Sequence, residues 1–135
     1  MNWNKILVAG VAGGIVMTLV NYVLHGVIMA GTYTRYPEVF RQADNAAAVY
    51  WFFIVGALTG VAACALFAKT RGSWGDGFGG GAGFGFWVGV VVFTLQFYPT
   101  LTIEGFPYYL SWCWGGIDLI AFTILGGVLG VMYKR

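Results

Sequence analysis

The stretch PYYLSWCWGGIDLIAFTILGGVLGVMYKR, residues 107–135, decides the fold. About 25 of its residues run on with one acid, Asp118, before Lys134 and Arg135 close it, which is enough to cross roughly 30 Å of hydrocarbon at about 1.5 Å per residue. Asp118 falls near mid-depth, where an ionised carboxylate costs several kcal/mol, so whatever packs against this helix must solvate, pair or neutralise it.

The rest of the chain agrees. Of 135 residues, 59% are hydrophobic and 9% charged, against roughly 25% charged in soluble domains. So few charges cannot cover a soluble surface, and the chain reads as a single integral membrane domain over 1–135. The net charge of +2 comes without a basic run, so no nucleic-acid partner is expected. Cys64 and Cys113 lie in separate apolar runs and lack the C-x-x-C spacing of a working dithiol.

Spans are expected at about residues 5–30, 46–68, 78–98 and 107–133, an all-α, polytopic, compact glycine-rich bundle of four transmembrane helices. The first apolar run is much longer than the roughly 7–15-residue core of a signal peptide and carries Asn21 and His25, so it is read as a retained helix. Thr18, Asn21 and His25 recur at helical spacing and continue the side of Gly10 and Gly14, forming one protein-facing seam. Between the first two spans, Thr34, Pro37 and Glu38 suggest a short interfacial helix, with Val39, Phe40 and Ala43 toward the membrane and Arg41 and Asp44 toward water.

Gly56 and Gly60 give the second span a close-packing pair. In RGSWGDGFGGGAGFGFWVG, Gly75, Gly77 and Gly80 formally match G-x-G-x-x-G, but no βαβ context surrounds them. The mechanical reading is a groove: Gly77, Gly81, Gly85 and Gly89 recur every four residues, on a helix expected to stop at Pro99. Pro107 is expected in the first turn of the last span, where Gly126 and Gly130 form another small-residue pair.

Lys5, Lys69, Arg71, Lys134 and Arg135 fall on one side of these spans, and Arg35 and Arg41 on the other, which predicts cytoplasmic termini. Tyr33, Tyr36, Tyr50, Trp51, Tyr98, Tyr108, Tyr109, Trp112 and Trp114 gather toward the outer interface, as an aromatic belt or as a contact surface.

By depth, Asn21, His25, Gln96 and Asp118 share the outer half as an intramembrane polar cluster, serving either as an ion or proton site or as packing. The leading expectation is a non-catalytic membrane subunit or scaffold, packing laterally in a homo-oligomer or a larger complex. The alternative is a small oligomeric proton- or cation-coupled transporter or channel using Asp118; the third is a pigment- or haem-associated accessory subunit using His25. With one histidine, no nucleophile elbow and no H-E-x-x-H, neither enzyme, bound metal nor cofactor is expected.

The opening NWNKILVAGVAGGIVMTLVNYVLHGVIM and the ending LIAFTILGGVLGVMYKR resemble small uncharacterised four-helix bacterial inner-membrane proteins. In those, a first helix starts just after the initiator and carries a late polar residue, and a glycine-rich last helix ends in Lys or Arg. The resemblance implies a four-helix fold and a bacterial membrane location, and it carries no activity and no functional residue.

Overall fold

The computed structural model describes residues 1–42 and 48–134. Its helices are α1 (Trp3–Asn21, continuing as a π-helix over Tyr22–Ile28), α2 (Ala30–Tyr33), α3 (Val49–Thr70), α4 (Gly77–Leu95), α5 (Tyr98–Thr102) and α6 (Tyr108–Met132). Four stretches are long and apolar enough to cross a membrane: Trp3–Ile28, Val49–Ser73, Gly77–Thr102 and Tyr108–Met132. The chain is a multi-pass membrane bundle. The side carrying both termini is called the near side below, and the opposite one the far side.

Two glycine-lined hairpins make the bundle. In the first, α1 and α3 run antiparallel, and a methyl group added at Gly10 would strike the backbone of Gly60 and Val61, one at Gly14 that of Gly56 and Ala57. Gly56 and Gly60 in turn face Thr18, Gly14 and the Gly10 carbonyl. In the second, a side chain at Gly81 would overlap the Gly126 carbonyl, and one at Gly85 the Phe122 carbonyl. Gly130 rests on Gly77 and Gly81, while Gly89 lies against Leu119. Backbones this close leave room for hydrogen only, and the gain is packing that lipid cannot match.

The hairpins meet mainly along α1 and α6, where Gly13 receives Leu125 and Leu129. Around that seam lies the core: Ile6, Ala9, Met17, Ala63, Cys64, Phe67, Phe84, Ala121, Leu125 and Leu129. Phe67 of α3 and Phe84 of α4 close the remaining gap, with ring centroids 5.1 Å apart. By position along the antiparallel helices, this core occupies the near and middle depths of the bundle.

Local sequence explains the ends. Asn2 caps α1 by accepting from the Lys5 N–H at 3.1 Å. Between α3 and α4 the chain turns through Arg71–Ser73, and Arg71, only 7% exposed, is held there. Its guanidinium donates to the carbonyls of Trp74 and Gly75 and to Asp76 at 2.6 Å, and sits 5.2 Å from the centre of the Phe67 ring. Gly77 then starts α4 at φ +70°, a conformation glycine adopts without steric cost.

Four expectations shift. Pro99 does not stop the third span's helix: α4 ends at Leu95, and Pro99 sits in the first turn of α5. A proline ring clashes with the carbonyl four residues back, here that of Leu95, but fits a helix's first turn. Pro107 caps α6 from outside with extended backbone (ψ 126°) rather than occupying its first turn. The short helix between the first two spans is Ala30–Tyr33, and residues 37–39 form a turn. Phe40, expected toward the membrane, instead packs on Tyr33, Phe106 and Trp114. The placements of Ala43 and Asp44, and that of Arg135, lie outside the described residues.

Candidate functional site: polar groups of the far half

Toward the far side, burial falls away on the first three spans, while α6 keeps Leu110, Ser111 and Ile117 buried. None of residues 22–28, 49–55 and 90–102 is fully buried, and the polar residues singled out in the sequence lie here or close by. They divide into two sets.

The first set is built on the π-helix. A π-helix takes more residues per turn than an α-helix, so His25 falls behind the face that Thr18 and Asn21 share. Thr18 keeps to the α3 seam, bonding the Gly14 carbonyl at 2.9 Å and the Phe52 carbonyl at 3.4 Å. His25 turns toward α2 and α6. Its Nδ1 lies 2.5 Å from the Tyr33 hydroxyl, which also accepts from Trp114 Nε1 at 2.8 Å.

Indole N–H can only donate, so the Tyr33 proton goes elsewhere, and His25 Nδ1 is a nearer and better acceptor than Met29 Sδ at 3.9 Å. That assignment leaves the ring proton on Nε2, a state in which this nitrogen does not ligate a metal. Phe40 and Phe106 complete an aromatic cup around Trp114, with centroids at 5.8 and 5.2 Å. Burial pushes the Tyr33 phenol up to about 12, against the opposing pull of the Trp114 hydrogen bond. The Tyr36 and Tyr109 hydroxyls at 3.2 Å, and Thr100 with fully buried Ser111 at 2.5 Å, bind the far-side connections to α6.

The second set is Asp118, Gln96 and Asn21. Gln96 caps α4, and its Nε2 donates to Asp118 Oδ2 at 2.5 Å. On α6, Leu110, Ile117, Ala121, Leu125 and Leu129 form the buried apolar stripe, while Gly126 and Gly130 face α4. Steps of about 100° per residue put Asp118 between those two stripes, toward the bundle interior. Asn21 Oδ1 is buried and has no hydrogen-bond partner among the described residues. His25 and Asp118 share no hydrogen bond, so the four residues grouped by depth do not make one bonded cluster.

Among the described residues, the one ion pair is Arg71–Asp76, and no three His, Cys, Asp or Glu side chains gather as a metal site. Two open concavities of about 280 Å³ lie on the near side, one against Asn4, Lys5 and Met132 and one against Arg71, Asp76 and Lys134. Neither is lined by the far-half polar groups.

The sequence reading missed Tyr33, Trp114, Phe40 and Phe106 as a unit, and the Arg71–Asp76 clip. The clip was the more legible, since the two charges flank a Gly-containing turn. The cup joins residues far apart in the chain, and no spacing rule reaches that far. Compared with known proteins, the chain matches no protein-family model, no curated protein and no solved structure.

Proposed function

We propose that this protein is a non-catalytic integral membrane subunit or scaffold, which packs laterally as a homo-oligomer or against a larger membrane protein. The observation that carries this reading is where the chain spends its polar groups. Most of them fasten one element to another: Thr18 joins α1 to α3, Gln96 and Asp118 join α4 to α6, and His25, Tyr33 and Trp114 join α1, α2 and α6. Such interhelical bonds are worth about 0.6–2 kcal/mol each.

What remains for a partner is the apolar outside. Because the glycine rows are used within the chain, the lateral faces are aliphatic and aromatic, as with Trp51, Phe52 and Val55 on α3 and Phe86, Trp87 and Val91 on α4. Little chain lies outside the spans to carry a site. We place the protein in a bacterial cytoplasmic membrane with both termini inside. Lys5, Lys69, Arg71 and Lys134 on the near side, against Arg35 and Arg41 on the far side, support that orientation.

Isolation in mild detergent through a C-terminal tag, followed by native mass spectrometry, tests the reading. A defined homo-oligomer or a stoichiometric membrane partner is expected; a lone monomer contradicts it. A reporter active only in the cytoplasm, fused at the C-terminus, tests the orientation. The second reading, a proton- or cation-coupled role, is favoured by one observation: Asp118 has no cationic partner among the described residues.

A further inference from the structure

The two hairpins repeat a pattern. In each, the helix that runs from near to far carries its last packing glycine and then, about two turns on, an amide: Gly14 then Asn21 in α1, Gly89 then Gln96 in α4. Gln96 starts farther out, because Gly89 lies against Leu119 whereas Gly13 lies against Leu125, but its side chain reaches Asp118. Gly13 packs on Leu125, and about two turns from that contact toward the far side lie Asn21 on α1 and Asp118 on α6. One carboxylate therefore lies level with the Asn21 amide and accepts from the Gln96 amide, on the inward side of its helix.

The hydrogen bonds in this layer are incomplete at one buried acceptor. Gln96 Nε2 satisfies Asp118 Oδ2. Asn21 Oδ1 is buried with no partner among the described residues, where nearly all such atoms in folded proteins have one. No cationic side chain lies within ion-pair distance of Asp118 among the described residues. The layer lacks positive charge. A carboxylate with amide carbonyls is the hard oxygen set that suits cations without d-electron preferences, and it offers no soft or imidazole ligand. The helix regularity also changes here, since the π-helix begins at Tyr22, beside Asn21. Interruptions of transmembrane helices are recurrent places for cation sites.

We propose that Asp118, Asn21 and Gln96 form a binding site for one small alkali cation, entered from the far side. Asp118 supplies the charge, and the Asn21 and Gln96 carbonyls supply neutral ligands. The packed core of Phe67, Phe84, Leu125 and Leu129 closes the near side. The proposal does not depend on the subunit reading, because a scaffold and a transporter can each hold such an ion.

The test is calorimetric titration of the intact purified protein in mild detergent with Na⁺ and with K⁺, against a choline background. One saturable alkali cation per chain is expected. Asp118→Asn should abolish binding, and Asn21→Leu should weaken it by about tenfold or more, as loss of one ligand implies. Absence of saturable uptake, or uptake that survives Asp118→Asn, overturns the proposal, as does a site that exchanges only protons. Should Asp118→Asn fail to fold, Asn21→Leu decides alone, since it leaves the α4–α6 bond in place; unchanged affinity in that variant overturns the site.

Discussion

The near and far halves of this bundle are made from the same helices and closed by different means. In the near half, backbones touch through Gly10, Gly60, Gly81, Gly126 and Gly130, and Ile6, Phe67, Phe84 and Leu129 fill what is left. In the far half no glycine row continues, and the elements are joined by side-chain bonds such as Gln96–Asp118 and Tyr33–Trp114. Glycine contacts are short and unforgiving, since each depends on an absent side chain. Side-chain bonds tolerate change, because neighbours and water can substitute. The near half therefore sets the fold, and the far half is where chemistry can be accommodated.

Substitutions should expose that asymmetry in graded fashion. Gly81→Leu has the largest expected effect, because its side chain would occupy the Gly126 carbonyl and the Gly130 backbone. Overpacking commonly costs about 1–3 kcal/mol, and a clash with backbone exceeds that range. Loss of monodisperse protein on gel filtration is the expected outcome, and a normal elution profile would remove α4 from its role as a packing helix. Phe84→Ala follows, at about 3–5 kcal/mol in a denaturant titration, because it opens a hole beside Phe67 in the buried core. Thr18→Val should cost only about 0.6–2 kcal/mol, the worth of one interhelical bond in a membrane.

The smallest expected effect is a titration. Tyr33 lies beyond the first span, and burial raises its phenol to about 12. The folded state therefore prefers the neutral phenol: its contribution to stability is complete below about pH 10 and is lost as pH rises toward about 12. The difference in phenolate absorbance between wild type and Tyr33→Phe should appear only near pH 12. Ionisation near the ordinary tyrosine value of about 10 would mean that the cup around Trp114 is open to water.

How legible each half was in the sequence follows from the same contrast. The four spans could be read because lipid demands long apolar runs, and the small-residue rows because close packing repeats at helical spacing. What spacing could not say is which row meets which: that Gly14 faces Gly56 and Gly85 faces Phe122 depends on how the hairpins fold back. His25 escaped for a local reason, since the seam shared with Thr18 assumed an unbroken α-helix and the π-helix at Tyr22 rotates it away. Pro99 was recognised as incompatible with a helix interior, but not as the start of a new turn. Asp118 was found at once by its charge, whereas its bond to Gln96 required knowing how the helices are rotated.

Two natural probes sit in the two regions. Cys64 is fully buried in the glycine-sealed core, and Cys113 is part-exposed near the far end of α6. Reaction of the intact protein with N-ethylmaleimide in mild detergent, read by mass spectrometry of the peptides, compares them in one chain. Modification of Cys113 alone, with Cys64 reacting only after denaturation, is the result that a sealed near half and a more accessible far half require. Equal modification of both cysteines in the native protein, or reaction of Cys64 first, would contradict it.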